Sequence, residues 1–479
     1  MHDNLAVVVL AGGLSTRFKS DTPKLLHKLA GKPILGWVLD AARVLNPLQI
    51  IVVYGPHNEF LKEHFQGVDW ALQEHPRGTA DALLSSKSVL DPRVKEILLI
   101  SGDTPFIRPE TLLDAVEMFE GVAKDVKAVV LAAIIGDPTG YGRIVRSGNR
   151  VDRIIEEKDA KPSERENREV NSGIYVLALN GIWSELSGVS TENAKGEMYL
   201  TDVISTRKAL ICPVQDSWEI AGINTRADLA AAEAEAQRRI ISRHLLDGVS
   251  FIRPETCYVE AAVTIAPDTV IMPGTCLLGN TTIGAGCKIG PDSYIDRSSI
   301  GDGCEILKST VNRASVGNRV KIGPFCNVRP ETVLEDDVKL GDFVEIKKAR
   351  VGRGSKIPHL SYVGDAVIGE RVNIGAGTIT CNYDGVNKHQ TTIEDDVFVG
   401  SNSTIIAPRI IRKGGYVAAG SVITEDVPPD DLAVGRGRQV NKSGYARRLR
   451  ESMARSREKA AKAGAIPDSG EKGEEADGS

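Results

Sequence analysis

Two groups of residues in this sequence have types and spacing suited to chemistry. The first lies in LAGGLSTRFKSDTPKLL, residues 10–26, which follows an apolar run directly. Gly12, Gly13, Ser15 and Thr16 make a small, permissive loop whose N–H groups can face phosphate oxygens, and Arg17 and Lys24 add positive charge. The stretch matches neither G-x-x-x-x-G-K-[ST] nor G-x-G-x-x-G, which disfavours P-loop NTPases and dinucleotide sites. Alone, it reads equally well as a tight turn. LLISGDTP places Asp103 just past the carboxyl end of another apolar run, where open α/β sheets bind ligands. An aspartate there suits Mg²⁺, or it caps a helix near Pro109. LQEHPRGTADAL brings Gln73, Gly78 and Thr79 to a third strand end, suited to reading the edge of a base.

The second group lies further on. VRPET supplies Arg329, EIKKAR supplies Lys347, and KIPHLSYVGD supplies His359 and Tyr362. Only two of the eight histidines, His359 and His389, fall between residues 250 and 440. A histidine near neutral pH can take a proton from an attacking amine, and lysine and arginine can grip a phosphate. Each residue alone reads as a solvated corner charge. Their clustering beside a broken repeat is what singles them out.

The elements that must position these groups differ along the chain. LAVVVLA (5–11), QIIVVYG (49–55), EILLISGD (96–103) and AVVLAAII (128–135) are short and apolar, with helix-period stretches between them. They predict an α/β domain over residues 1–224 with a parallel sheet buried on both faces. Residues 225–250 predict a stiff connecting helix, with Thr225 and Asp228 spaced as a capping box. Residues 251–437 carry an apolar residue every six positions in three runs: Ile265 to Ile295, Val316 to Ile346 and Ile393 to Ile423. That is the signature of a parallel β-helix, in which each hexapeptide gives one strand and one turn and three strands close a coil. From Thr380 to Ile393 the period fails, and the polar run Cys381–Gln390 predicts a loop inserted at a coil corner. Residues 438–479 are basic, then acidic and Gly-rich, and predict a disordered charged tail, helical at most in its first part.

A net charge of −5 gives no overall pull toward nucleic acid or anionic membrane. The seven cysteines form no Cys-x-x-Cys pair, so packed reduced thiols in a cytoplasmic protein are expected rather than zinc sites or disulfides. MHDNLAVVVLAGG has no basic segment ahead of its short apolar run, so neither a signal peptide nor a membrane span is read there.

The loop, SGDTP, GYGRI (140–144), IIEEKD (154–159), VNSGIY (170–175) and AGINTRADL (221–229) follow one another as in sugar-nucleotide pyrophosphorylases. With the hexapeptide half behind them, residues 5 to 440 resemble the bifunctional N-acetylglucosamine-1-phosphate uridyltransferase / glucosamine-1-phosphate acetyltransferase family. The resemblance implies a Rossmann-like nucleotidyltransferase domain and a left-handed β-helix. It implies that Leu10, Ala11, Gly12, Gly13 and Lys24 hold the UTP phosphates and that Gln73, Gly78 and Thr79 contact uracil. Asp103 and Asn224 would ligate Mg²⁺, while Gly142, Glu156 and Asn171, with Asn224, would hold N-acetylglucosamine 1-phosphate. In the second half His359 would be the general base, and Arg329, Lys347, Tyr362, Asn373 and Lys388 would bind glucosamine 1-phosphate. Asn382 and Tyr383 would sit at the acetyl end. Ala376 would offer its N–H to the thioester oxygen, and Ser401, Ala419 and Arg436 would contact coenzyme A. A homotrimer with acetyl sites at subunit boundaries is also implied. One departure stands out: Ser15 occupies the position of the family's second loop glycine. Two other readings stay open, a pyrophosphorylase whose β-helix is only a scaffold and a purely structural solenoid.

Overall fold

The computed structural model describes residues 2–13 and 16–462, so Ser15 and the end of the tail lie outside the described residues. The strands of the first domain are β1 (His2–Ala11), β2 (Lys28–Leu29), β3 (Lys32–Pro33), β4 (Pro47–Tyr54), β5 (Asp69–Leu72), β6 (Glu96–Ser101), β7 (Ala128–Ile134), β8 (Gly142–Ser147), β9 (Arg150–Ile155), β10 (Glu169–Ala178) and β11 (Leu210–Pro213). Nine of them form one sheet in the order β5-β4-β1-β6-β10-β7-β11-β9-β8. Side chains alternate across it: Val7, Val9, Leu98 and Ile100 enter the core on one face, and Ala6, Val8, Ile97 and Leu99 on the other. Burying both faces is what an unbroken apolar run requires.

The expectation of a parallel sheet holds for β5, β4, β1 and β6. It fails at β10, which runs antiparallel to both β6 and β7. The sequence obscures this strand because Asn171, Ser172 and Gly173 interrupt its apolar pattern. They do so at an irregularity in the β10–β7 register between Asn171 and Tyr175, where Gly173 has φ +78°.

The connecting helix spans Arg226–Leu246 and begins with the expected capping box: the Asp228 N–H donates to Thr225 Oγ1 at 3.1 Å, and the Thr225 N–H to Asp228 Oδ2 at 2.8 Å. The helix is docked along its length. The Ala30 N–H, in the β2–β3 turn, donates to the Glu233 carboxylate, and Gln237 bonds both backbone groups of Val259 in the first coil. Ala232, Ala236, Ile240 and Ile241 join the core of one sheet face to the interior of the β-helix.

Beyond it, short parallel strands stack coil on coil. Ile283 lies on Ile265 and Ile289 on Ile271, eighteen residues or three hexapeptides apart. The coils also continue where the period of six lapses. Ile300 pairs with Val316 and Ile306 with Ile322, sixteen residues apart, and all four are buried. These coils shed residues at their turns, which breaks the period without breaking the stack. The opposite holds at the insertion: Ile368 pairs with Ile393, twenty-five residues on. Thr380 fills an inward position within that coil, its hydroxyl taking the Gly364 N–H at 2.8 Å. In the first part of the tail, where the sequence allows a helix, Tyr445–Lys462 form one, and from Tyr445 to Ala461 almost every side chain is exposed. Among the described residues no helix is long and apolar enough to cross a membrane.

Two candidate active sites

The carboxyl ends of β1, β5 and β6 surround a cavity of about 380 Å³. Leu10, Ala11, Gly12, Gly13, Lys24, Gln73, Gly78, Thr79 and Asp103 all line it. Close approach explains two of the glycines. A Cβ on Gly12 would lie 2.7 Å from Gln73 Oε1, and one on Gly78, with φ +124°, would lie 2.5 Å from the Met198 carbonyl. Thr79 Oγ1 accepts the Leu200 N–H at 3.1 Å.

Lys24 links the remaining polar groups. Its Nζ donates to Asp103 Oδ2 at 2.6 Å and to Asn224 Oδ1 at 3.3 Å. Arg17 also reaches Asn224 Oδ1, at 3.1 Å, and the Ser101 hydroxyl fixes Asp103 Oδ1 at 2.6 Å. Asp103 caps no helix, since Arg108 stands at the N-cap before Pro109. Asn224 is held by the connecting helix, its N–H donating to Asp228 Oδ2 at 2.9 Å. A carboxylate and an amide oxygen therefore converge on one cationic group. That oxygen pair also suits Mg²⁺, which keeps several waters and takes further oxygens from phosphate.

The sugar-phosphate candidates lie on β8, β9 and β10. Gly142 and Asn171 pair across β8 and β10, and the Asn171 amide donates to Tyr175 Oη at 2.7 Å. Glu156 follows β9, and burial pushes its carboxyl above the usual carboxylate range. Thr201 Oγ1 donates to Glu156 at 3.3 Å. The sequence reading missed Ser101 and Thr201, whose hydroxyls orient the two carboxylates. Ser101 opens SGDTP beside the more conspicuous Asp103, and Thr201 lies outside every motif named above.

In the second half, parallel stacking makes two columns. On one face Arg329 underlies Lys347, and Lys347 lies beside Gly364. A Cβ on Gly364 would meet Tyr362 Oη at 2.5 Å and Asn382 Nδ2 at 2.9 Å, so glycine leaves room for both side chains. Lys388 comes in from the inserted loop. Its contact and charge hold Lys347 below the ordinary lysine range, with Arg329 adding repulsion. Three cations thus gather on one face; Glu345 takes one hydrogen bond from Arg329 at 2.7 Å, and the Asp365 carboxylate offsets part of the repulsion on Lys347.

The other column is a coil corner. The Gly377 N–H points to the His359 carbonyl, Asn402 N–H to Ala376, Gly420 N–H to Ser401, and Arg436 Nη1 donates to the Ala419 carbonyl at 2.7 Å. His359, Ala376, Ser401, Ala419 and Arg436 therefore climb one edge in successive coils. The His359 side chain is exposed and makes no hydrogen bond among the described residues. Asn373 stands apart, stacked between Lys356 and Phe398 on another face without a hydrogen bond to the cationic group.

The inserted loop is ordered from within. Tyr383 and Lys388 face each other in an antiparallel bridge, and the Tyr383 hydroxyl donates to the Gly385 carbonyl. Asp384 accepts the Val386 and Asn387 N–H groups at 2.8 and 2.6 Å and contacts His389 Nε2 at 2.7 Å. His389 is the loop's internal clamp. All seven cysteines are free thiols, and five are buried.

Known proteins share this arrangement of two halves. Residues 7–165 match the MobA-like NTP transferase domain, 262–297 the bacterial transferase hexapeptide, 290–373 the GlmU-like C-terminal hexapeptide and 390–425 the hexapeptide repeat of succinyl-transferase. A bifunctional protein GlmU from Caldanaerobacter subterraneus is 46% identical over 450 residues, covering 92% of this chain and 98% of the relative. Those from Halalkalibacterium halodurans and Koribacter versatilis are 44% and 43% identical, over 92% and 93% of this chain and 98% and 97% of theirs. The chain belongs to the GlmU family of bifunctional proteins.

Proposed function

We propose that the chain carries out two steps of UDP-N-acetylglucosamine synthesis. The second half transfers acetyl from acetyl-CoA to glucosamine 1-phosphate. The first half then joins N-acetylglucosamine 1-phosphate to the uridylyl group of UTP. The observation that carries the reading is the pair of separate constellations, an oxygen-and-lysine cluster at the sheet's carboxyl edge and, beside the inserted loop, a cationic face with the coil-corner column that begins at His359.

In the first site the glycine loop and Lys24 hold the triphosphate. Gln73, Gly78 and Thr79 face the base, and Glu156, Asn171 and the Gly142 backbone hold the sugar. A phosphate oxygen of the sugar phosphate attacks the α-phosphorus in line. The new P–O bond forms as the bond to pyrophosphate breaks, and no protein nucleophile takes part. The protein's contribution is orientation and neutralisation of charge. Asp103 and Asn224 would hold Mg²⁺, which when bound adds further neutralisation to the phosphates.

In the second site Arg329, Lys347 and Lys388 grip the phosphate, with Tyr362 and Asn373 at the sugar. His359 takes the proton from the 2-amino group as its nitrogen attacks the thioester carbonyl, and coenzyme A leaves as its thiol. The Ala376 N–H faces the developing oxyanion. Asn382 and Tyr383 flank the acetyl group, and Ser401, Ala419 and Arg436 carry the coenzyme along the corner column. His359, Leu360 and Tyr383 are exposed in the single chain, and Phe325 stacks on Phe343 nearby with centroids 5.1 Å apart, both more than half exposed. An open site beside an apolar ladder supports a homotrimer in which a neighbouring β-helix closes it. Free thiols throughout suit the cytoplasm. Two assays on purified protein test the reading: coenzyme A release with glucosamine 1-phosphate, and pyrophosphate release from UTP with N-acetylglucosamine 1-phosphate and Mg²⁺. Absence of the first leaves the β-helix a scaffold, and absence of the second removes the nucleotidyltransferase.

A further inference from the structure

Asp81 belongs to none of the groups above, yet it is buried beside the base-facing end of the nucleotide cavity. Its two oxygens have different partners. Oδ1 accepts both Arg77 Nη2 at 2.7 Å and Arg77 Nε at 3.2 Å. Oδ2 accepts Gln73 Nε2 at 2.8 Å. The same Gln73 nitrogen also donates to the Gly78 carbonyl at 3.2 Å. Gln73 is only 4% exposed, and its Oε1 is the atom a Cβ on Gly12 would strike.

This arrangement fixes which way round the Gln73 amide lies. Its NH₂ has two protons, and both are taken, by a carboxylate and by a carbonyl. Turning the amide over would set Oε1 against two acceptor oxygens at those same distances, with nothing between them. Only an acceptor, Oε1, is left for the cavity.

We infer that Asp81 is a positioning residue for base selection: it locks Gln73 so that a carbonyl oxygen faces the nucleotide, selecting a pyrimidine that offers an N–H donor at ring position 3. Uracil has that donor. Cytosine has an acceptor there, which would oppose Oε1. Arg77 neutralises the buried carboxylate and assigns its oxygens, so the device needs the trio Arg77–Asp81–Gln73. The inference rests on the nucleotidyl-transfer reading given above and deepens it by naming what sets the base.

The test is the ratio of kcat/KM for UTP against CTP in pyrophosphate release. In Asp81→Asn, Arg77 still demands an oxygen, so the new amide turns its nitrogen toward Gln73. Gln73 then turns its own oxygen to meet it, giving up the longer of its two bonds, that to the Gly78 carbonyl, and presents NH₂ to the base. The UTP/CTP ratio falls at least about tenfold. Adding Gln73→Glu to Asp81→Asn returns an acceptor to the cavity, and the ratio recovers toward wild type. A merely structural role for Asp81 would lower both nucleotides alike and would not be rescued. Coenzyme A release from the second site reports that the variants are folded. An unchanged ratio in Asp81→Asn, or equal loss for both nucleotides, overturns the inference and leaves the wild-type activity standing. Wild-type preference for CTP overturns the uridylyl reading itself, and the inference with it. A further measurement needs no variant: the wild type should bind 3-methyl-UTP at least about tenfold more weakly than UTP. Equal binding of the two overturns the inference.

Discussion

Lys24 Nζ lies 2.6 Å from Asp103 Oδ2, so the lysine of the phosphate loop is directly paired with the aspartate at the end of β6. Both side chains are largely buried, which makes the pair sensitive to loss of either partner. Asn224 shares the same ammonium at 3.3 Å. Asp103→Asn keeps the shape but removes the charge that a divalent ion needs. The half-saturating Mg²⁺ for pyrophosphate release should rise at least about tenfold. Lys24→Met should lower kcat about 10²-fold at saturating Mg²⁺. Metal titration of pyrophosphate release, with coenzyme A release unchanged in both variants, checks this.

His359→Ala separates the two halves. Loss of a general base costs typically 10²–10⁴-fold, so coenzyme A release should fall by about that factor. Pyrophosphate release should stay within about twofold of wild type, because the hydrogen bonds that tie the β-helix to the first domain and the connecting helix, among the described residues, lie at its first coils, far along the chain from His359. Parallel loss of both activities would mean that the histidine holds the fold rather than the proton.

How much was legible beforehand differs between the halves. In the β-helix, one apolar position per hexapeptide fixes both strand and stacking, so Ile265 to Ile295 could be assigned a place by counting. Counting stopped where coils shed or gained residues at turns, since a turn's length leaves no periodic trace. Ile300, Ile306 and Val311 are as buried as the residues before them. In the first domain, strand ends carrying Gly12, Gln73 and Asp103 were readable because polar residues abruptly follow an apolar run. β10 was not, because its bulge puts polar residues inside a central strand. Residues that act by orienting others, such as Ser101, Asp81 and His389, leave no pattern at all. Their roles exist only once distant segments meet.

The Lys347–Lys388 contact makes phosphate binding depend on pH. Lys347 is held below the ordinary lysine range, first by Lys388 and then by Arg329. Free enzyme therefore loses this proton earlier than an ordinary lysine would, while bound phosphate favours keeping it. The KM for glucosamine 1-phosphate should rise with pH in the alkaline range, beginning below the ordinary lysine value of about 10.4. In Lys388→Gln the larger cause is gone and of the two cations only Arg329 remains, so that rise moves to higher pH even though KM at neutral pH increases. The unfolded chain binds more protons here than the folded one, so stability too climbs with pH across the same window. Initial rates at fixed acetyl-CoA across an alkaline pH series decide between this and a pH-independent KM.

The clamp between His389 and Asp384 sets the shape of the loop that carries Asn382, Tyr383 and Lys388. Asp384 is held well below the usual carboxylate range, first by His389 and then by the Asn387 and Val386 N–H groups. A depressed carboxyl contributes order that is fully present above its unfolded value of about 3.9 and is lost as pH falls through the folded one. The loop should therefore be closed at neutral pH and open only in strong acid. His389→Ala removes the largest of the three holds at any pH. Because the clamp is exposed, Tm should hardly change. The loop should nevertheless become the first site of proteolytic cutting, between residues 381 and 390. The KM for glucosamine 1-phosphate should rise a few-fold as Lys388 loses its fixed position, with pyrophosphate release untouched. Protease resistance of the variant equal to wild type, together with an unchanged KM, would show that the loop holds its shape without the histidine.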